Sequence, residues 1–245
     1  MGKGEYLKIK LLLKFFIIFF LAAAKVDAKE SLRYNLAASE SWYPYYIPDE
    51  KEPGILGELI PLILKKADIH GIELRFPPKR TIYAMENGLL DFDVVSPVWF
   101  AGGDAGEQFI FSKSLIGIEE FYASLAGINL GPMVYKEEVG TILGYYYFDD
   151  NTFTRIDFAS EKELVMALQK RRVDRVLIGD LPAKYWADKL NVSIRLDQLH
   201  TRGELKIRLN KSKAHLLPVI NKAITELQQT GKIEKIVSKY TVKQS

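Results

Sequence analysis

The chain has 245 residues, 48% of them hydrophobic, enough to bury a substantial core in one large domain or two small lobes. It has no cysteine, which excludes disulfides, thiolate metal sites and cysteine nucleophiles. The formal net charge of +3 arises in the first 28 residues, which hold five Lys/Arg and two Asp/Glu; the remainder carries 29 of each sign, so no whole-protein field points to nucleic acid or an anionic membrane.

Lys3, Lys8, Lys10 and Lys14 form a basic leader, followed by an apolar run from Phe15 to Ala24 and then by Val26-Asp27-Ala28. This order predicts a secretory signal peptide cleaved after Ala28 and a mature protein in the periplasm. The apolar run is about 10 residues long, half of what a membrane-spanning helix needs.

In the mature chain, Ser31 to Ala38 reads as a strand, with Leu32, Tyr34 and Leu36 on one face. An aromatic-rich loop follows, from Ser39 to Tyr46. Gly54-Ile-Leu-Gly57 opens a helix expected over about 58–67, with Pro61 in its first turn. Ile72 to Phe76 is a second strand, Arg80 to Asn87 a short helix capped by Gly88, and Phe92 to Ser96 a third strand. Gly117 to Ala126 reads as extended. Val139 to Leu143 is a strand running into Gly144-Tyr145-Tyr146. Ser160-Glu-Lys-Glu163 is a capping box that starts a helix. Arg175 to Gly179 is a strand, Leu181 to Leu190 a helix, and Glu204 to Leu209 a strand. A long amphipathic helix over about 213–229, a break at Gly231 and a short helix to about Tyr240 complete the chain. Strand–helix alternation with short loops predicts an α/β protein with parallel sheets.

Several of these stretches are similar, in this order, to the bacterial family-3 extracellular solute-binding proteins, the periplasmic subunits of amino-acid ABC importers. Gly54-Ile-Leu-Gly57 resembles that family's turn into its first helix, and Asn87-Gly88-Leu-Leu-Asp91 its Gly-x-x-Asp turn. Phe111-Ser112 resembles the Phe-Ser before the first crossing between lobes. Arg172 to Asp180 looks like the second-lobe strand ending in a ligand-binding Asp, and Leu217 to Tyr240 like the C-terminal helix pair. The resemblance covers essentially the whole mature chain. It implies a two-lobed, type II periplasmic-binding-protein-like fold, each lobe a mainly parallel sheet flanked by helices, joined by two crossover segments. The lobes would be residues 29–118 plus 209–245, and residues 119–208. The ligand would lie in the cleft, and closure would be the signal a partner reads.

Asp180 stands where an apolar strand ends and a helix begins, the position at which open α/β sheets bind ligands. An Asp before Leu-Pro is also a good helix N-cap; the resemblance favours ligand contact. Glu40, Trp42 and Tyr43 lie in the loop that, in the family, supplies an aromatic ring and a polar contact; loop packing is the alternative. Ser96 and Trp99 follow the third strand, where the family grips the ligand carboxylate. The Arg that the family places shortly afterwards is missing: no Lys or Arg lies between Asp91 and Ser112. Arg80 is the candidate substitute, unless it is a solvated charge at a helix start. Tyr145 belongs to the turn after the first second-lobe strand. These rings and acids together suit a cationic or amine-bearing ligand.

The reading is therefore a periplasmic solute-binding protein, monomeric and not an enzyme, that closes over a small polar or amine-bearing molecule (an amino acid or related compound) for ABC import. Its partner would be an ABC permease or, in a sensing module of the same fold, a membrane sensor. No cofactor, metal or nucleic acid is expected. A small-molecule dehydratase using Glu40 and Asp180 is the remaining alternative. His70, His200 and His215 read as surface residues, none beside a nucleophile or a second metal ligand.

Overall fold

Alternating burial sets the first edge of the sheet. In β1 (Ser31–Asn35), Leu32 and Tyr34 are buried while Ser31 and Arg33 are partly exposed. The computed structural model describes residues 29–36 and 42–241; the basic leader, the junction at Ala28 and Glu40 lie outside the described residues. β1 pairs in parallel with β2 (His70–Glu73) on one side and β3 (Phe92–Val95) on the other. The connections carry helices α1 (Gly54–Lys66) and α2 (Pro78–Glu86).

β3 is buried at all four residues and pairs antiparallel with the end of β9 (Ile194–Asn210), whose other edge takes β4 (Phe109–Phe111). β5 (Ile116–Leu125) runs antiparallel along the rest of β9, from the Ile116–Leu205 pair to Leu125–Ile194. On the far side of β5 lie β8 (Arg175–Gly179), β6 (Glu138–Ile142) and β7 (Thr154–Phe158), the last three mutually parallel. The order is β2-β1-β3-β9-β5-β8-β6-β7. Two parallel triplets are thus joined through two long antiparallel strands, β5 and β9.

Each triplet has its own core. Against the first pack α1, α5 (Leu217–Gln229) and α6 (Lys232–Thr241), with Gly231 in left-handed backbone (φ 64°) between the last two. The three helices are also tied at their rims, where Lys66 and Lys239 reach Glu226 and Glu58, each at 2.6 Å. Against the second triplet pack α3 (Glu161–Gln169) and α4 (Asp180–Leu190). The expected cap of α3 is present: Ser160 Oγ accepts from the Glu163 amide at 3.3 Å, and the Glu163 carboxylate accepts from the Ala159 amide at 3.0 Å.

Each triplet is parallel as expected, the whole sheet is mixed because β4, β5 and β9 pair antiparallel, and it contains two strands that the chain's patterning did not announce, β4 and β7. β9 is far longer than the expected 204–209 segment. Its first half reads Ile-Arg-Leu-Asp-Gln-Leu-His, with Leu196 and Leu199 39% exposed and register shifts against β5, so it lacks the alternation of a half-buried strand. Pro61 lies inside α1, not in its first turn, because the helix begins at Gly54. Pro61 is on the exposed face, so the Gly57 carbonyl that it cannot bond can turn to water.

The start of α1 positions the aromatic loop. Ile55, Leu56, Leu59, Ile60, Ile63 and Leu64 form a stripe at helical spacing, almost wholly buried. The first free amides of the helix are satisfied by the loop: Ile55 N donates to Pro44 O at 3.0 Å and Leu56 N to Tyr45 O at 2.8 Å. Gly54 makes this approach possible. Its φ is +85°, and a Cβ there would lie 2.8 Å from both carbonyl oxygens. Gly54→Ala is expected to cost about 2–4 kcal/mol and to shift the fluorescence of Trp42; unchanged denaturant midpoint and emission would show that the loop is held by something else.

Candidate functional site

Between the triplets lies a cleft of roughly 590 Å³, part of it open to solvent. One wall comes from the first triplet and its loops: Asn35, Leu36, Trp42, Thr81, Ile82, Asp93, Val94, Val95, Trp99 and Arg208. The other is the turn after β6, Gly144, Tyr145 and Tyr146. A smaller hollow, with room for about one water molecule, shares Trp42, Trp99 and Tyr145 and adds Glu120, Tyr147, Glu161, Gly179 and Pro182. Ring contacts span the opening: Phe100 lies 4.7 Å from Tyr146, and Tyr43 stacks on Tyr185 of α4 at 4.6 Å.

Of the residues singled out in the sequence, Trp42, Trp99 and Tyr145 come together on these walls. Trp42 is fixed by a two-way backbone bridge to Tyr46 and by its ring contact with Tyr45, and its ring centroid is 6.1 Å from that of Trp99. Tyr145 donates its hydroxyl proton to Glu161 at 2.8 Å. The others are placed differently. Tyr43 sits at the rim against Tyr185 and Trp186. Arg80 is exposed on α2, one residue before Thr81, which lines the cleft. Ser96 is fully buried beneath β9, where a Cβ on Gly203 would meet its Oγ at 2.7 Å. Asp180 is the first residue of α4, not its cap. It adjoins Gly179 on the hollow's wall, its Oδ1 is buried without a hydrogen bond, and burial, aided by the Glu119 charge, raises its pKa.

Three charged groups of the cleft escaped sequence reading. Asp93 and Arg208 form a buried pair across the β3–β9 register, Nε to Oδ1 at 2.9 Å and Nη2 to Oδ2 at 2.6 Å. The guanidinium also lies 4.8 Å from the Phe109 ring centroid and 5.3 Å from that of Phe100. Burial works against its charge, but the neighbouring Asp93 more than offsets this and raises its pKa above the ordinary value. Arg208 is the one cation on the cleft wall among the described residues. The only signal in the sequence was an Arg at an inward position of a strand, which reads equally well as an edge charge.

Glu120 is the third. It lies on β5 at a register shift, 6% exposed, and accepts from Thr201 Oγ1 at 2.7 Å; the indole N–H of Trp99 is near enough to favour its charged form but lacks hydrogen-bonding geometry. No Lys, Arg or His pairs with it among the described residues. Desolvation, helped by the charge of Asp149, pushes its pKa up to about 7. His200 corrects a further expectation. Its side chain is 3% exposed, with Nε2 2.8 Å from Asp149 Oδ1 and its ring on Phe148, next to Thr201 in the first half of β9 rather than on the surface. Among the described residues no cluster of His, Asp and Glu has metal-binding geometry, and no helix is long and apolar enough to cross a membrane.

Solved structures share this architecture. An arginine-binding protein of T. maritima, in its P235GK mutant form, superposes with a TM-score of 0.70 at 15% identity, over 89% of this chain and 98% of that one. The chain has the two-lobed fold of periplasmic amino-acid-binding proteins. A periplasmic His/Glu/Gln/Arg/opine family-binding protein from Silicibacter pomeroyi, in complex with lysine, gives 0.70 at 16% identity over 87% and 98%. A histidine kinase sensor domain with similarity to periplasmic binding proteins gives 0.71 at 13% identity over 88% and 98%. No protein-family model matches the sequence, and no curated protein matches it.

Glu120 makes stability depend on pH in a defined direction. It ionises near 4.5 when unfolded and near 7 when folded, so the native state keeps a proton that the unfolded chain has lost. That contribution is full below about pH 4.5 and is lost as pH rises through 7, a change of about 3 kcal/mol. Chemical denaturation between pH 5 and 8 is expected to show this decline, and Glu120→Gln to flatten it. An equal slope in the variant would assign the titration to another group.

Proposed function

We propose that the protein is exported, loses its leader after Ala28, and works in the periplasm as a solute-binding protein for ABC import. Residues 29–118 with 209–245 form one lobe and residues 119–208 the other. β5 and β9 are the crossings on which they hinge, and the lobes close over a small polar or amine-bearing ligand. The observation that carries this reading is the cleft itself, walled by Trp42 and Trp99 from one side and by Tyr145 and Tyr146 from the other. Such a site is assembled only when both sides approach, so binding energy favours closure. Among the residues read from the sequence, Trp42, Trp99 and Tyr145 contact the ligand directly; Asp180, at the mouth of α4, and Glu40 are proposed to contribute charge. Ser96, Tyr43 and Arg80 act from behind or beside the cleft. The protein works as a monomer and performs no chemistry on its ligand.

A sensing role is the second reading, favoured by the likeness to a histidine kinase sensor domain. The same closure would then be read by a membrane partner instead of a permease.

The test is purification of the native protein from the periplasmic fraction, followed by N-terminal sequencing and mass spectrometry of released small molecules. A chain beginning at Lys29 with a bound organic solute is expected, and Trp42→Ala should weaken rebinding of that solute at least tenfold. Retention in the cytoplasm with the leader intact, or a solute bound with equal affinity by the variant, would sink the proposal.

A further inference from the structure

A cleft can hold a carboxylate by a free guanidinium, by a helix N-terminus or by uncommitted hydroxyl and amide donors. Here the guanidinium is engaged and the nearby helix starts are proline-led or acidic, while the Trp99 indole N–H is left without a partner. Arg208 is bound through two nitrogens to Asp93. Residues 37–41, Ala-Ala-Ser-Glu-Ser, bring no cation. α2 begins with Pro78 and is capped by Pro77, neither of which has an N–H to offer. α3 begins with Glu161 and α4 with Asp180, so an incoming anion at either would meet a like charge. On the wall, Asn35 Nδ2 donates to Phe76 O and Thr81 Oγ1, and Thr81 Oγ1 in turn reaches the carbonyls of Phe76 and Pro77.

For a cation the situation is reversed. The smaller hollow brings Glu120 and Glu161 onto one wall, with Asp180 beside it. Among the described residues Glu120 is buried without a cationic partner and Asp180 Oδ1 without any hydrogen bond. Trp42, Trp99, Tyr145 and Tyr147 surround the same space. Ring faces attract a cation most strongly where water is excluded, and a buried carboxylate lacking a counter-charge gains most from one that arrives.

We infer that the ligand is an organic amine without a carboxylate, its ammonium directed at Glu120 beside the rings of Trp42 and Trp99 and its apolar body lying along Tyr145 and Tyr146. This rests on the solute-binding reading above and narrows it. An α-amino acid would present the same ammonium but would have to bury its carboxylate where the wall's guanidinium is already paired with Asp93 and the nearby helix starts are acidic.

Matched pairs separate the two chemistries. Titration calorimetry with agmatine and arginine, histamine and histidine, and cadaverine and lysine compares each amine with the amino acid that differs from it by one carboxylate. At least one amine is expected to bind the wild-type protein tenfold or more tighter than its parent, and Glu120→Gln to lose tenfold or more of that affinity. An amino acid binding as tightly as its amine overturns the inference and leaves the solute-binding reading standing. If no member of any pair binds, and small-angle scattering shows no compaction with any of them, the inference falls and the hinged-cleft reading loses its support as well. The wild-type protein alone discriminates amine from amino acid, so a variant that fails to fold leaves that comparison intact.

Discussion

A buried ion pair sets the chemistry of the whole cleft. Asp93 at the centre of β3 and Arg208 near the end of β9 face each other in the antiparallel register and bond through two pairs of atoms. Charges this deep are tolerated only when their partners are geometrically good, and the pair is further covered by Phe100, Phe109 and Tyr146. The pair therefore fixes β9 against the first triplet at the point where β9 leaves for the second. It also engages the one cation on the cleft wall among the described residues, so no other wall cation there balances the acids Glu120, Glu161 and Asp180.

The mechanical organisation follows from β5 and β9. Two strands that pair over ten residues make a stiff connector, yet the register shifts at Glu120/Phe121 and Tyr122/Ala123 interrupt the ladder between the two triplets. Glu120 sits at the first of these. This places a buried carboxylate facing the cleft at the irregular part of the connector. The rim contacts of Tyr43 with Tyr185 and of Phe100 with Tyr146 add aromatic area that exists only while the two sides touch.

Much of the site was legible because its rings lie in loops where an aromatic residue has no local reason to be. Trp42 and Trp99 follow strand ends, and Tyr145 follows β6 through Gly144; all three reached the cleft. Arg80 did not, since helix α2 turns its side chain to solvent while the next two residues face inward. Ser96 was expected at the ligand, but the short turn Pro97–Trp99 carries the chain forward and leaves Ser96 beneath Gly203. His200, expected at the surface, is enclosed because the 148–152 loop folds over the start of β9.

By itself the sequence determined the α/β class, the helices with strong apolar stripes or caps, the first parallel triplet and the aromatic character of the cleft loops. These are local properties: periodicity, capping and turn chemistry act over a few residues, and they survive without knowledge of what packs against them. Only the tertiary structure decided the length of β9, the antiparallel crossing with β5, and the fate of the charges. Whether Arg208 is a ligand grip or a spent partner, and whether Glu120 is a solvated side chain or a buried acid, depends on residues 115 and 81 positions away along the chain. Pairing and desolvation are set by distance in space, which no window of sequence contains.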